Sequence, residues 1–366
     1  MSDDSSAAIE RVEVSVFRIP TETPESDGTL AWNSTTLVLV KVRAGGTTGL
    51  GYSYADTACA RLICETLADR VCGGDAFDVP AQWLAMVRAI RNLGRPGIAS
   101  MAIAAVDTAL WDLKARLLGI SLVKLLGAVR LHVPVYGSGG FTSYSIAQLQ
   151  QQLAGWAAAG IARVKMKVGR DPHHDIERVR RAREAIGAGT ELFVDANGAY
   201  TRKQALAFAA AFADTGVSWF EEPVSADDLA GLRVLRDRVP GGMAVAAGEY
   251  GYDLPYFRRM LSAGAVDILQ ADATRCAGFT GFLKVDALCE SECLPLSSHC
   301  APFLHLPVCC SSSRVLHMEY FHDHVRIAQL LFDGVSAPVD GKLSPDLSRP
   351  GLGLELKHAD AQRFAL

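Results

Sequence analysis

The alternation of apolar and polar residues predicts antiparallel strands at the start of the chain. Within residues 10–52, RVEVSVFRI and TTLVLVKVRA alternate with a period of two, which is typical of strands that are buried on one face. The stretch AGGTTGLG that follows supplies turn residues. Between the two runs, segment 21–34 is polar and contains Pro24 and Gly28, so the sequence predicts a mobile loop there.

Helical periodicity follows from about residue 54 to 126. The clearest stretch is 100–119, SMAIAAVDTALWDLKARLLG, for which Ser100 is the expected N-cap and Gly119 the expected stop. Strands followed by helices predict an α+β domain in this part of the chain.

After His132, short apolar runs alternate with helical segments. The candidate strands are 133–138, 164–168, 192–196, 219–223, 244–249, 267–272, 295–299 and 317–320. Eight strands with helices between them are the number found in a (β/α)8 barrel. A doubly wound open sheet is the alternative, but it would less naturally place a polar residue at the end of nearly every strand. The predicted organisation is an α+β capping domain (1–130), a (β/α)8-type barrel (131–334) and a C-terminal segment that returns to the capping domain (335–366).

Composition and charge narrow the possible partners. The chain is 49% hydrophobic and 21% charged, as expected for a globular protein, and its net charge of −4 disfavours nucleic acid or an anionic membrane as a partner. The polar N-terminus MSDDSSAAIE and the lack of a long apolar run predict a cytoplasmic protein without a signal peptide or membrane span.

The nine cysteines follow neither a disulfide framework nor a zinc motif. Their odd number and irregular spacing predict free, mostly buried thiols. A zinc cluster drawn from residues 289–310, which include His299 and His305, would use the spacings C-x3-C and C-C. These spacings are not typical of structural zinc sites.

Three acidic residues each end an apolar run of the barrel region. Asp195, Glu221 and Glu249 are separated by 26 and 28 residues, about one strand plus one helix, so each falls at the same place in its unit. The carboxyl ends of parallel strands converge, and three carboxylates there would repel one another without a divalent cation. Because oxygen ligands and open positions for substrate suit Mg²⁺, the sequence predicts a magnesium site.

Candidate acid/base groups lie on the neighbouring strands. Lys165 and Lys167, two residues apart, point to the same face of a strand, and Asp272 and His299 close two successive strands. An Asp that accepts from one imidazole nitrogen fixes the tautomer and raises the basicity of the other. With Lys167 and His299 on opposite sides, the set predicts removal of the proton next to a metal-chelated carboxylate, which gives an enediolate. Solvent-facing lysines and a structural histidine are the alternatives.

Three further polar residues are candidates at the barrel mouth. Glu319 is expected either to hydrogen-bond an enolate oxygen when protonated or to be a structural partner of Lys165 or Arg326. Asn197 would flank the metal site. Ser138, at the end of the first barrel strand, could reach a substrate hydroxyl, although a role in the turn is about as plausible.

At these residues the sequence resembles the enolase superfamily, in its mandelate racemase-like subgroup. The resemblance covers nearly the whole chain, and the Asp272–His299 pair separates this subgroup from those that use a lysine on the sixth strand. It implies the Mg²⁺ ligands Asp195, Glu221 and Glu249, the acid/base groups Lys167 and His299 with Asp272, and the carboxylate-stabilising residues Lys165 and Glu319.

The resemblance implies a Mg²⁺-dependent dehydratase of an aldonate or aldarate that yields a 2-keto-3-deoxy acid. A racemase or epimerase of a 2-hydroxy acid, a sugar-acid lactone cycloisomerase and a non-catalytic sugar-acid binding protein are the alternatives. In the family, specificity lies in the capping loops. Here the polar residues of 16–33 favour a polyhydroxylated substrate, whereas Trp32 weakly favours an aryl one.

Two expectations concern contacts at the edges of the barrel. The polar segment FHDHVR (321–326) is expected to hold the barrel against the cap, with recognition of a distal substrate carboxylate as the alternative. The family resemblance also implies a homo-oligomer.

Overall fold

A three-stranded antiparallel sheet and a group of helices form the N-terminal domain of the computed structural model, which describes residues 7–366. The strands are β1 (Ile9–Ser26), β2 (Ala31–Ala44) and β3 (Thr47–Tyr54). The helices are α1 (Ala58–Leu62), a π-helical turn (Ile63–Leu67), α2 (Ala68–Val71), α3 (Val79–Ala89), α4 (Ile98–Leu117) and α5 (Leu122–Leu126).

Helix α4 is apolar on nearly all sides because it lies between the sheet of the cap and a helix of the barrel. It begins at Ile98, so the prediction of Ser100 as its N-cap is wrong. The Ser100 hydroxyl instead donates to the carbonyl of Tyr252 at 2.9 Å and so links the cap to the barrel. Gly119 has a φ of +65° just beyond the helix, as predicted for a stop.

Eight parallel strands in the described residues close into a barrel, which confirms the predicted fold class. The strands are β4 (Val133–Gly139), β5 (Arg163–Lys167), β6 (Glu191–Asp195), β7 (Val217–Glu221), β8 (Ala244–Ala247), β9 (Ile268–Ala271), β10 (Leu296–Ser298) and β11 (Val315–Phe321). Each strand pairs with the next one, and β11 pairs with β4, with Met318 opposite Val135. This closure is incompatible with a doubly wound open sheet.

In the described part of the chain, seven helices between the strands and one after the last strand cover the outside of the barrel. They are α6 (Ile146–Ala158), α7 (Pro172–Ile186), α8 (Arg202–Ala213), α9 (Leu229–Arg236), α10 (Leu254–Ser262), α11 (Gly278–Ser291), α12 (Pro302–Ser311) and α13 (His322–Leu331). Capping boxes begin two of them, where Ser145 pairs with Gln148 and Thr201 with Gln204. Large apolar residues fill the space between strands and helices, whereas the barrel interior holds a smaller aromatic layer that includes Tyr136, Phe193 and Trp219.

The prediction of a mobile loop over residues 21–34 is wrong. Strands β1 and β2 extend into this segment and leave only a short turn at 27–30. The turn closes on itself, because Asp27 Oδ1 accepts from the backbone N–H groups of Thr29 and Leu30, both at 2.7 Å. It is also attached to the barrel, where the Thr142 hydroxyl donates to the carbonyl of Asp27 at 2.8 Å. The segment is therefore a hairpin whose tip rests on the barrel mouth.

Gly28 allows this close approach. A Cβ atom at Gly28 would lie 2.3 Å from the backbone oxygen of Ala196. We expect Gly28→Ala to lower the free energy of unfolding by about 1–3 kcal/mol, because either the hairpin or the barrel loop must move. Gly155→Ala in α6, where a Cβ would have no neighbour within 4 Å, is the control and should raise it by about 0.5–1 kcal/mol. Denaturant unfolding measures both, and equal stabilities of the two variants would contradict the packing argument.

The end of the chain contacts both the barrel and the cap. Its elements are β12 (Phe332–Asp333), β13 (Lys342–Leu343), β14 (Glu355–Leu356), α14 (His358–Ala361) and a 3-10 turn (Gln362–Phe364). Strand β13 pairs with β4, whereas the N–H of Leu366 donates to the carbonyl of Val16 in the cap sheet at 3.0 Å.

Segment 321–326 also joins barrel to cap. Arg326 Nη2 donates to the carbonyl of Pro20 at 2.6 Å, and Asp323 accepts from the hydroxyl of Thr35 at 2.5 Å. The ring of His324 stacks on Tyr54 with the centroids 3.4 Å apart. Among the described residues, no helix has both the length and the apolar character needed to cross a membrane.

Candidate active site

The register of the barrel places the predicted polar residues at one edge. Lys167 lies opposite Asp195, and Asp195 lies opposite Glu221, so the ends of β5, β6 and β7 are level. Glu249 follows β8 and comes directly after Gly248. Position 248 requires glycine, because its φ is +136° and a Cβ atom there would clash with the Gln270 carbonyl. These elements bring the three predicted metal ligands together.

Two lysines lie among the carboxylates. Lys165 Nζ is fully buried and donates to both oxygens of Glu221 at 2.8 Å. Lys167 Nζ donates to Asp195 Oδ2 at 2.5 Å. Burial lowers the pKa of Lys167, but the negative charges of Asp195, Glu249 and Glu221 together raise it by more, so the net shift is upward. Both lysines are therefore charged and partly offset the acidic cluster.

The carboxylates fit a hard divalent cation. One oxygen from each of Asp195, Glu221 and Glu249 lies within 4.8 Å of the others. In octahedral coordination at about 2.1 Å, ligand oxygens lie about 3–4 Å apart. Glu249 Oε2 is buried without a hydrogen-bond donor, and burial followed by repulsion from Asp195 raises the pKa of Glu221 to about 7. A cation would relieve both conditions.

Asp272 and His299 form the predicted pair. Asp272 Oδ2 lies 2.8 Å from His299 Nδ1, while Thr274 donates to the other carboxylate oxygen through its N–H and its hydroxyl, both at 2.7 Å. His299 Nε2 then faces the cavity, 3.2 Å from Glu249 Oε2. Burial lowers the pKa of His299, but Glu249, Glu319 and Asp272 more than offset this, and the net shift is upward. The ring is thus held with one nitrogen free to accept or donate a proton.

Glu319 is the partner of Lys165. Its Oε1 lies 2.9 Å from Lys165 Nζ and accepts from the Ser138 hydroxyl at 2.5 Å. Its Oε2 accepts from the N–H of Cys300 at 2.7 Å. Burial raises the pKa of Glu319, but Lys165, His299, Lys167 and the hydrogen bond from Ser138 together lower it by more, to well below its usual range. Of the expectations for Glu319, the geometry favours the ion pair with Lys165 over a protonated donor, and Arg326 pairs elsewhere, with Asp323.

A cavity of about 550 Å³ between cap and barrel gives access to these groups. From the barrel it is lined by Lys167, Asn197, Glu249, Arg275 and His299, and from the cap by residues that include Asp27, Trp32, Ser34, Thr36 and Tyr54. Asn197, which was predicted to flank the metal site, and Trp32 of the capping segment both face this cavity. Ser138 is fully buried and its hydroxyl is bonded to Glu319, so it supports the site from below and does not line the cavity.

Comparison with known families identifies the superfamily of this chain. Residues 11–127 match the model of the mandelate racemase / muconate lactonizing enzyme N-terminal domain, and residues 148–361 match the enolase C-terminal domain-like model. The chain belongs to the enolase superfamily, in its mandelate racemase-like subgroup. The resemblance given by the sequence is thereby confirmed.

Similar proteins of the superfamily include enzymes of sugar acids. The chain is 58% identical to a mandelate racemase/muconate lactonizing enzyme-like protein from Rubrobacter xylanophilus, with a TM-score of 0.96 over 98% of this chain and 100% of that one. It is 35% identical to the 3,6-anhydro-alpha-L-galactonate cycloisomerase of Streptomyces coelicolor, over 98% of this chain and 99% of that enzyme. An L-talarate dehydratase from Polaromonas, complexed with Mg and L-glucarate, is 31% identical, with a TM-score of 0.87 over 98% and 97%.

Arg275 is a residue of this superfamily member that the sequence analysis missed. Its Nη1 lies 3.3 Å from Glu249 Oε1, and its Nε lies 3.8 Å from Asp272 Oδ2. It therefore connects the metal carboxylates to the Asp272–His299 pair and lines the cavity. The signal was a charged residue three positions beyond Asp272, in the loop where the barrel carries its chemistry.

Glu25 in the hairpin is expected to make the stability of this superfamily member depend on pH. It is buried, with Trp32 Nε1 donating to its Oε2 at 2.9 Å, and burial followed by repulsion from Asp323 raises its pKa to about 8. In the unfolded chain Glu titrates near about pH 4.3. Between these values only the folded state holds the proton, so the free energy of unfolding falls as pH rises from about 5 to about 8 and levels off above.

Glu25→Gln should remove this fall, because the amide cannot ionise. We expect the variant to be more stable than wild type at about pH 9 and to lose less stability than wild type between about pH 6 and 9. Chemical unfolding at several pH values measures this. Glu13→Gln, an exposed position on the same strand, should leave the wild-type profile unchanged. Parallel profiles for wild type and Glu25→Gln would show that Glu25 does not titrate in this range.

Proposed function

We propose that the protein is a Mg²⁺-dependent dehydratase of an aldonate or aldarate. The observation that carries this is a cluster of three carboxylates, Asp195, Glu221 and Glu249, beside a cavity that is lined by Glu249, Lys167 and His299. Asp272 holds His299 in place there. Asp195, Glu221 and Glu249 would hold the magnesium ion. When bound, Mg²⁺ supplies positive charge beside the substrate carboxylate and so favours the enediolate.

The protein's own residues would move the protons. Lys167 lies on β5 and His299 follows β10, so they reach the cavity from different sides of the barrel. One of them would take the C2 proton, and His299 would act as the acid for departure of the C3 hydroxyl, which leaves as water. Lys165, held in place by its ion pair with Glu319, would stabilise the substrate carboxylate end, and Asp272 would orient His299. A homo-oligomer and the three-part domain division remain predictions.

The cap side of the cavity supports a polyhydroxylated substrate. Ser34, Thr36 and Tyr54 offer hydroxyl groups, and Asp27 and Asp56 offer carboxylates, to a molecule held between cap and barrel. Trp32 uses its indole N–H on Glu25 and presents an apolar ring beside Phe141. A sugar acid matches this mixture, because its hydroxyls can pair with the polar groups while its C–H face lies on the ring.

Ring opening of a 3,6-anhydro sugar acid is the second candidate, favoured by the full-length similarity to the S. coelicolor cycloisomerase. It uses the same residues. After the C2 proton is removed, the C3–O bond breaks in either case, and the leaving oxygen is a hydroxyl in dehydration and the ring ether in the anhydro acid. Dehydration loses water, whereas ring opening gives an isomer of the same mass.

A panel of aldonates, aldarates and a 3,6-anhydro aldonate, incubated with Mg²⁺ and separately with a chelator, tests the proposal. Mass spectrometry is expected to show a Mg²⁺-dependent 2-keto-3-deoxy acid from one of the first two classes. Isomerisation of the anhydro acid alone, to a 2-keto-3-deoxy acid of the same mass, would favour ring opening. Isomerisation of an aldonate or aldarate with solvent deuterium incorporation and no loss of water would replace dehydration by racemisation or epimerisation. Neither product nor exchange of the α-proton in D₂O on any of these acids would overturn the proposed function.

A further inference from the structure

Cys300 lies beside the catalytic histidine. Its Sγ is 3.2 Å from His299 Nε2, and Glu319 Oε2 is 3.9 Å from the same nitrogen. One donor atom from each of the three residues lies within 4.8 Å of the other two, and all three side chains are buried. This cluster is distinct from the three carboxylates at the ends of β6, β7 and β8, and the dehydratase mechanism does not use its thiol.

The local backbone holds the thiol in this position. Cys300 and Ala301 have φ values of +50° and +41°, a left-handed conformation that is uncommon for non-glycine residues. Their N–H groups are bonded, that of Cys300 to Glu319 Oε2 at 2.7 Å and that of Ala301 to His324 Nδ1 at 3.2 Å. The turn is therefore fixed by side chains of the neighbouring strand and helix, and the thiol is positioned before any ligand arrives.

The donor set and its spacing suit a thiophilic metal. Nitrogen, sulfur and carboxylate oxygen are ligands of Zn²⁺, whereas Mg²⁺ prefers oxygen alone. Tetrahedral zinc with bonds of about 2.0–2.3 Å places its ligand atoms about 3.3–3.7 Å apart, and the observed 3.2 and 3.9 Å require only small shifts. Asp272 on the other ring nitrogen is the partner that a metal-binding histidine commonly has.

We propose that His299, Cys300 and Glu319 form a second metal site, for Zn²⁺ or a similar thiophilic divalent ion, and that its occupation inhibits the enzyme. On binding, the S–H bond of Cys300 breaks, its proton passes to solvent, and metal bonds form to Sγ, Nε2 and Oε2 without electron transfer. Inhibition rests on the proposed function, because the metal takes the nitrogen that would carry the substrate's proton. Binding itself does not depend on that function.

Co²⁺ provides a direct test of the site. With the carboxylate site saturated by Mg²⁺, added Co²⁺ is expected to give the near-ultraviolet absorption of a thiolate–cobalt bond, and Zn²⁺ should abolish it. In Cys300→Ser this absorption should be lost, and Zn²⁺ affinity should fall by more than about 100-fold, because even residues that only orient a metal ligand contribute about 10–100-fold. Cys310→Ser, a buried cysteine of α12, is the matched control and should keep both. Absorption that persists in Cys300→Ser, or none in wild type, would overturn the site.

Two further measurements keep the outcomes separate. Zinc X-ray absorption on the wild-type protein with Mg²⁺ should show one sulfur in the first shell even if Cys300→Ser does not fold, and a sulfur-free shell would refute the site. Zn²⁺ should slow α-proton exchange in wild type more than in Cys300→Ser, each relative to its own zinc-free rate. Equal inhibition would place the inhibitory zinc elsewhere. Absence of exchange in every protein, with the cobalt absorption intact, would instead reject the proposed function.

Discussion

Replacing His299 with asparagine is expected to lower the rate of the complete reaction by about 10²–10⁴-fold, the usual contribution of a general acid or base. Asn can still bond to Asp272 but cannot carry the proton. Lys167→Ala is expected to cause a loss of similar size, because its ammonium group lies at the cavity and has no substitute there.

Proton exchange in D₂O separates the two roles. If Lys167 initiates the reaction, His299→Asn should still exchange the α-proton of the substrate while failing to form product, and Lys167→Ala should lose both. The opposite pattern would assign initiation to His299. His173→Asn and Lys203→Ala, both exposed on the outside of the barrel, are the controls and should retain full activity. Unchanged turnover in either His299→Asn or Lys167→Ala would show that the catalytic assignment is wrong.

Replacing one of the predicted magnesium ligands should lower the reaction rate as strongly as replacing His299 or Lys167. Glu221→Gln is expected to weaken Mg²⁺ binding by more than about 100-fold, since even residues that only orient a metal ligand contribute about 10–100-fold. Lys165 would also lose one of its two charged partners at 2.8–2.9 Å while remaining fully buried. The variant should therefore be both inactive and less stable than wild type.

Thermal unfolding with and without Mg²⁺ measures this without a substrate. A ligand at about 100 times its Kd stabilises the folded state by about 2.7 kcal/mol, so wild type should melt at a higher temperature with Mg²⁺ and return to its original value with a chelator. Glu221→Gln should show no such shift at the same concentration. Glu222→Gln is the matched control, because Glu222 is also buried but lines a neighbouring cavity. A Mg²⁺ shift that survives in Glu221→Gln would refute the ligand assignment.

The sequence could predict the residues whose position follows from a repeat. The predicted metal ligands recur once per strand–helix unit, at Asp195, Glu221 and Glu249. Closure of the barrel brings these equivalent positions close together. The two-residue spacing of Lys165 and Lys167 likewise directs both side chains to the same face of β5. In these cases the period of the local structure alone determines which face a side chain occupies.

Other features depended on contacts between distant parts of the chain. The hairpin tip is anchored by Thr142 and by the backbone at Ala196, which no pattern within residues 21–34 reveals. Ser138 was expected near substrate, but its hydroxyl is bonded to Glu319, 181 positions away. Arg275 was missed because its loop has no periodicity that indicates where a side chain points.

The first residues of β2 have a consequence for redesign. Trp32, Ser34 and Thr36 alternate along the strand and all line the cavity, whereas the groups proposed for the chemistry lie at the ends of barrel strands. Exchanging these three side chains would reshape the cavity wall and leave the acidic cluster, both lysines and His299 in place. A library confined to these positions should therefore yield variants that share one reaction and differ in the acid they accept.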